Sequence, residues 1–188
     1  MTKDEMKKVV CQAIDEAAEK IHETVLRIES EPELGYKETK TAAKVESYMK
    51  ELGLTPQTGL ALTGVKTCVD GGKKGPAVAV LAELDAVGTP DSPKADPLTG
   101  AAHTCGHFLQ MASMLAACTG IVKSGVMKDL AGSAVFFAVP AEEYVEIDYR
   151  KRLVKEGKIH FLGGKSELVY EGHFDDIDMA MMMHSQGN

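Results

Sequence analysis

Residues Ala77–Leu84 have the sequence AVAVLAEL, a nearly continuous apolar run that is followed directly by Asp85. A run of this length is typical of a strand buried on both faces of a sheet. Two further runs have the same character, Ser133–Val139 (SAVFFAV) and Ile177–Met183 (IDMAMMM). Because helical patterns lie between the runs, we predict an α/β fold with a mostly parallel sheet and helices on both of its faces.

The helical patterns consist of apolar residues spaced three and four apart. They predict helices from about Met6 to Ile28, Lys37 to Leu52 and Thr104 to Lys123. Pro32 ends the first pattern, because proline disfavours helix in the residue before it. We expect one more short strand at Val65–Val69, and a helix or an excursion in the strongly charged stretch 144–160.

Composition and charge exclude several classes of function. The 188 residues include 28 acidic and 21 basic side chains, a net charge of -7, so a nucleic-acid backbone is a poor partner. No apolar run approaches the roughly 20 residues of a membrane span, and the N-terminus has no signal-peptide core. The four cysteines include no CxxC pair, as expected for reduced thiols. We therefore expect a cytoplasmic protein without nucleic-acid or membrane partners.

Polar side chains follow each of the three apolar runs. Asp85 follows the first, Glu142 and Glu143 follow the second after Pro140-Ala141, and His184 follows the third. In open α/β sheets, ligands bind at the carboxyl ends of the strands. We therefore expect these side chains to share one edge of the sheet.

The segment His103-Thr104-Cys105-Gly106-His107, at the start of the third predicted helix, could join that edge. Thiolates, imidazoles and carboxylates are ligands that Zn²⁺ accepts, and Gly106 would permit an unusual turn between Cys105 and His107. The adjacent glutamates suit a division of labour, in which one binds metal and the other acts as a general base. Together these residue types predict a metal site.

Each fragment also has a simpler interpretation. A buried cysteine beside a capping histidine, a solvated Glu142-Glu143 pair, an Asp85 that caps a loop and an idle, exposed His184 are all common in proteins. A redox or structural metal domain built on Cys105 is disfavoured because no second cysteine is clustered with it. The combined pattern favours the metal site because three strand ends and one helix start point toward one place.

Five landmarks, in this order and spacing, resemble the N-terminal part of a known family. They are Pro32–Tyr36 (PELGY), Ala82–Ala86 (AELDA), Gly100–His107 (GAAHTCGH), Pro140–Glu143 (PAEE) and Met183-His184. The family is that of the metal-dependent amidohydrolases and carboxypeptidases, which includes aminoacylases, indole-acetyl-amino-acid hydrolases and aminobenzoyl-glutamate hydrolases.

The resemblance implies a metallopeptidase-like hydrolase that cleaves the amide bond of an N-acyl amino acid or a dipeptide-like substrate through a metal-bound water. It implies two divalent metal ions, with zinc or manganese foremost and cobalt or nickel also open. Glu142 would be the general base, and Asp85 would orient the His107 imidazole. The metal ligands would be Cys105, His107, Glu143 and His184.

The sequence departs from the family in three ways. Phe108 stands where many members carry Asp or Asn, the stretch Tyr144–Lys165 is longer and more charged, and family members run to about twice this length. We therefore expect residues 1–188 to be the N-terminal half of a di-metal peptidase-like catalytic domain. The lid and dimerisation domain, a last ligand histidine and the rest of the catalytic domain would be absent.

Such a chain is expected to be weakly active or inactive alone and to leave one edge of its sheet open. The resemblance leaves a homodimer open for a full-length form, and the sequence does not determine the oligomeric state. The alternative is a non-catalytic metal-binding or protein-interaction module that retains the fold. The sequence leaves open the acyl group, the amino acid and the native metal.

Overall fold

The computed structural model describes residues 1–185, which form an α/β fold. The strands are β1 (Gln57–Leu60), β2 (Gly64–Asp70), β3 (Ala77–Glu83), β4 (Val87–Gly88), β5 (Ala101–Ala102), β6 (Ser133–Val139) and β7 (Met179–Met182). The helices are α1 (Lys3–Asp15), α2 (Ala18–Glu29), α3 (Thr39–Glu51), α4 (His107–Ser124), α5 (Ile147–Lys155) and α6 (Gly164–Tyr170), with a short 3₁₀ helix at Val126–Asp129.

The main sheet has five strands in the order β1-β2-β6-β3-β7. Strand β3 runs parallel to both β6 and β7, whereas β2 pairs antiparallel with β6 and with β1. Strands β4 and β5 form a separate two-stranded ribbon. The three apolar runs thus become the three parallel strands, and their carboxyl ends lie at the same edge of the sheet. The predicted fold class is confirmed.

Helices cover both faces of the sheet. One face packs against α1 to α4 around a core that includes Phe136, Met114 and Ile28. The opposite face packs against α5 and α6 around Phe137 and Leu168. Phe136 and Phe137 are neighbours in β6 and serve opposite cores because successive side chains of a strand point to opposite faces.

The first predicted helix is divided in two. Helix α1 ends at Asp15 and α2 begins at Ala18, because Ala17 leaves the helical conformation with φ −104° and ψ 2°. No proline or glycine lies between the two helices, and the apolar spacing continues across the break. The sequence pattern therefore predicted a single helix. Strand β1, which is short and mostly exposed, was also not predicted from the sequence.

The prediction that Ile177–Met183 forms a buried strand is wrong in its burial. All four residues of β7 are exposed. Within residues 1–185, β7 pairs only with β3, so it is an edge strand. Its apolar composition therefore does not produce burial here. No helix in the same range has both the length and the apolar character needed to cross a bilayer.

Candidate metal centre

His107 lies at the centre of the candidate site, as the first residue of α4. Its side chain is 1% exposed. The Nδ1 atom lies 2.8 Å from the backbone oxygen of Asp85 and 3.3 Å from Asp85 Oδ1. The Nε2 atom lies 2.9 Å from Glu83 Oε2, and 3.8 Å from both Glu142 Oε2 and Glu143 Oε1. One imidazole thus faces four carboxylates at the carboxyl ends of β3 and β6.

The surroundings of His107 determine its proton positions. A backbone carbonyl only accepts hydrogen bonds, so Nδ1 carries a proton and donates it to Asp85. In the neutral ring, Nε2 carries a lone pair that faces carboxylate oxygens. In the protonated ring, Nε2 carries a second N–H. It is buried and has no hydrogen-bond partner among the described residues. A cation, whether a proton or a metal ion, is needed between Nε2 and these oxygens to avoid repulsion.

The electrostatics of the site agree with this requirement. Burial alone would lower the pKa of His107, but the carboxylates of Asp85 and Glu83 outweigh it and raise the pKa to about 10. Burial would raise the pKa of Glu83, yet His107, Lys165 and Gln110 together lower it to about 2. The site therefore strongly favours a positive charge on or beside His107 Nε2.

Cys105 and His184 form the more exposed side of the site. Cys105 Sγ lies 3.5 Å from His184 Nε2, and the His184 ring meets the His107 ring edge-on with 5.7 Å between centroids. Burial, followed by the Glu143 carboxylate, raises the pKa of the Cys105 thiol to about 12. A thiol in this environment loses its proton to water or a base only where a cation binds and stabilises the thiolate.

Gly106 allows Cys105 and His107 to approach the same point. Its φ of 92° lies in the left-handed region, which L side chains rarely adopt. A Cβ atom at this position would also collide with Ser185 Oγ, next to His184. The turn between the two predicted ligands therefore requires glycine.

The donor atoms form two overlapping groups with His107 in common. Ligand atoms of Cys105, His107 and His184 all lie within 4.8 Å of one another, as do those of Glu83, His107 and Glu142. Glu143 also borders the site, and its backbone N–H donates to Asp85 Oδ2 at 2.9 Å. The structure thus brings all six predicted site residues together, and their donor set with the orphaned His107 Nε2 fits a divalent metal ion.

Glu83 was not singled out by the sequence analysis, although it contacts His107 directly. A signal was present in the sequence, because Glu83 interrupts an apolar run and lies two residues before Asp85. Residues two apart in a strand point to the same face, so Glu83 and Asp85 were candidates for the same site.

Two buried side chains, those of Glu38 and Arg150, make hydrogen bonds to the backbone of the loop that carries the two glutamates. Ala141 has φ 51°, and its N–H donates to the Glu38 carboxylate at 2.8 Å. The Arg150 guanidinium donates to the Ala141 oxygen at 3.3 Å and to the Glu143 oxygen. The helix predicted as one alternative for the charged stretch 144–160 is present as α5, and its Arg150 supports the site.

Glu142 itself is the most accessible carboxylate beside His107. Its side chain is 39% exposed. Partial burial, followed by the negative charge of Glu83, raises its pKa above the ordinary value of a glutamate. A partly exposed carboxylate with a raised pKa is suited to accept and return a proton.

Comparison with known proteins shows that the chain is similar to amidohydrolases and carboxypeptidases. No protein-family model matches the chain. It is 31% identical over 163 residues to thermostable carboxypeptidase 2 of Saccharolobus solfataricus, which covers 84% of this chain. It is 27% identical over 187 residues to an N-acyl-L-amino acid amidohydrolase of Geobacillus stearothermophilus, which covers 98% of this chain. The chain spans 37% and 45% of the length of these relatives.

Solved structures agree on the fold. A dinuclear metal-binding peptidase of the M20 family from Bacillus subtilis superposes with a TM-score of 0.70 at 22% sequence identity. The match covers 89% of this chain and 43% of the other. The resemblance inferred from the motifs is therefore confirmed: over the part it spans, this chain is a relative of the metal-dependent amidohydrolases and carboxypeptidases.

Proposed function

We propose that this chain carries the metal-binding part of the active site of a hydrolase that cleaves the amide bond of an N-acyl amino acid or a dipeptide-like substrate. One observation carries the proposal: Asp85 holds His107 Nδ1, while His107 Nε2 is buried, makes no well-aligned hydrogen bond and lies 2.9 Å from the Glu83 carboxylate. The N-acyl-L-amino acid amidohydrolase among the relatives supports the substrate class.

The ligands that would hold the metal are Cys105, His107, Glu143 and His184. Zinc and manganese are the foremost candidates, and the mixed sulfur, nitrogen and oxygen donors also suit cobalt or nickel. A second divalent ion is proposed as well, because a solved structure with the same fold is a dinuclear metal-binding peptidase. His107 Nε2 would bind only one of the two ions. Such ions, when bound, polarise the substrate carbonyl and acidify water.

The protein residues have distinct tasks in this proposal. Glu142 takes a proton from the attacking water and passes it to the leaving amine. Asp85 fixes the tautomer of His107 through Nδ1, which keeps Nε2 directed into the site. Glu38 and Arg150 position Glu142 by holding the backbone on either side of it.

We further propose that residues 1–188 form one part of a larger catalytic unit. The support is the share of the relatives that the chain spans, 37% and 45% of their lengths. The exposed sides of Glu142 and His184 would then be the surfaces at which further substrate and metal contacts are made.

Replacing Glu142 by Gln tests the function. Hydrolysis of a panel of N-acetyl amino acids is followed by release of the free amine, with zinc or manganese supplied. We expect the variant to lose about 10²- to 10⁴-fold in rate while it binds metal normally. Glu156→Gln, on the exposed surface after α5, is the matched control. Full activity in the Glu142 variant would contradict the proposal.

A second candidate, a metal-binding or protein-interaction module without catalysis, is favoured by the exposed methionines of β7. Met179, Met181 and Met182 are all exposed on an edge strand, which is a common docking surface. Equal binding of a partner protein by the wild type and the Glu142 variant, with no hydrolysis of any N-acyl amino acid by either, would favour this candidate.

A further inference from the structure

Glu83 is a fully buried carboxylate at the end of β3, with 1% of its side chain exposed. Burying a charged carboxylate is costly unless cations and hydrogen bonds compensate. Its Oε2 faces His107 Nε2 at 2.9 Å, and its Oε1 forms an ion pair with Lys165 at the start of α6. One oxygen of this carboxylate therefore faces the ammonium group of Lys165, and the other faces the nitrogen atom that would bind the metal ion.

Gln110 holds Glu83 in a fixed orientation. It lies one turn after His107 on α4, and its Nε2 donates to Glu83 Oε2 at 2.8 Å. Its Oε1 accepts the backbone N–H of Glu83 at 3.2 Å. One buried amide thus fixes both the main chain and the side chain of Glu83. Carboxylates that bind metal ions are usually held in place by hydrogen bonds of this kind.

The distance between Glu83 and His107 also fits ligands of one ion. Metal–nitrogen and metal–oxygen bonds of about 2.0–2.2 Å place neighbouring donor atoms roughly 3.0–3.5 Å apart. Glu83 Oε2 and His107 Nε2 are 2.9 Å apart, and Glu142 has an oxygen within 4.8 Å of both. His107 Nε2, buried and without a hydrogen-bond partner in the described chain, points into this group.

We propose that Glu83 is an additional metal ligand that binds the same divalent ion as His107 Nε2, and that Lys165 competes with the ion for the Glu83 carboxylate. The inference rests on the proposed metal centre and extends its ligand set beyond the motif residues. The ammonium group of Lys165 and a divalent ion both neutralise Glu83, and they repel each other at this short range. Lys165 therefore weakens metal binding.

Metal affinity, rather than activity, tests the inference. Zn²⁺ or Mn²⁺ is titrated into the metal-free chain against a competing indicator. We expect Glu83→Gln to weaken binding by about 10- to 100-fold. Lys165→Met should tighten it by about two- to fivefold. Glu156→Gln and Lys158→Met, which remove the two halves of an exposed ion pair, are matched controls and should leave the affinity unchanged.

The outcomes separate this inference from the proposed function. A folded Glu83→Gln variant with wild-type affinity overturns the inference and leaves the hydrolase proposal intact. If that variant does not fold, Lys165→Met decides: tighter binding supports the inference, and unchanged or weaker binding overturns it. A wild-type chain that binds neither metal overturns both proposals.

Discussion

The inner and outer halves of the candidate site are held in different ways. The inner half consists of Glu83, Asp85, His107 and Gln110, all of them buried. The outer half consists of Cys105, Glu142 and His184, which are half-buried or exposed. The inner residues are joined by hydrogen bonds, one between His107 and Asp85 and one between Gln110 and Glu83. In the outer half, His184 Nδ1 faces the backbone oxygen of its own neighbour, Ser185, at 2.6 Å.

The difference follows from where the chain places each half. The inner residues lie at the end of an interior parallel strand and in the first turns of a largely buried helix, so packing fixes them. His184 follows the exposed edge strand β7, and Glu142 lies in a loop. The comparison indicates that folding alone preorganises the inner half, whereas the outer half depends on what binds to it.

The largest expected contrast is in stability without metal. His107→Ala leaves the buried carboxylates of Glu83 and Asp85 without their shared cation, and breaking such a pair costs about 3–5 kcal/mol. His184→Ala removes an exposed ring and should change the free energy of unfolding by less than about 0.5 kcal/mol. Urea denaturation in EDTA measures both. Equal losses in the two variants would contradict the division into halves.

The next contrast is in metal affinity. Asp85→Asn should weaken Zn²⁺ or Mn²⁺ binding by about 10- to 100-fold. His107 keeps its hydrogen bond to the Asp85 backbone oxygen but loses the negative charge of the carboxylate 3.3 Å from Nδ1. Asp148→Asn on α5 is the matched control, since its side chain is exposed to solvent. An affinity unchanged by Asp85→Asn would mean that metal binding by His107 does not depend on this carboxylate.

A smaller effect is expected in the pH dependence of stability. Burial, followed by the charge of Asp85, raises the pKa of Glu38 to about 7 from an ordinary 4.5. The folded state therefore keeps this proton at higher pH than the unfolded state does. Its contribution to stability is complete below about pH 4.5 and declines as the pH rises through 7, at up to about 1.4 kcal/mol per pH unit.

Glu38→Gln should remove that contribution while it keeps the acceptor for the Ala141 N–H. The difference in free energy of unfolding between variant and wild type should then shift in favour of the variant from pH 5 to pH 7.5. Chemical denaturation at several pH values measures this difference. A constant difference across that range would show that Glu38 does not titrate as its burial requires.

The smallest effect is expected at the exposed edge strand. Met181→Ala should change the free energy of unfolding by less than about 0.5 kcal/mol, because the side chain is already exposed to solvent. Met114→Ala, in the buried core, should cost about 2–5 kcal/mol and serves as the reference. A large loss at Met181 would show that β7 is covered in solution, for example by a partner.

The sequence predicted much of the fold because the signals were local. Ala77–Leu84 and Ser133–Val139 formed strands as their apolar runs indicated, and α4 began within a few residues of its predicted start. The sharing of one edge by Asp85, Glu142, Glu143 and His184 followed from the rule for parallel strands. The roles assigned to these residues stay predictions.

Other features could not be predicted because they depend on contacts between distant segments. Arg150 is 0% exposed and binds the backbone of the glutamate loop, and the strong charge of the stretch 144–160 gave no indication of this buried contact. The contact of Glu83 with His107 spans 24 residues of sequence. The exposure of β7 depends on which elements lie beside it, and an apolar run carries no such information.

The most direct test of the preorganised inner half is a crystal structure of the chain soaked with Mn²⁺ or Zn²⁺, with anomalous difference maps recorded at the metal edge. We predict a peak within about 2.0–2.3 Å of His107 Nε2, with Glu83, Asp85 and Gln110 unmoved and only Cys105, Glu142 or His184 rearranged around it. A peak elsewhere, or an inner half that must rebuild to bind the ion, would contradict the account.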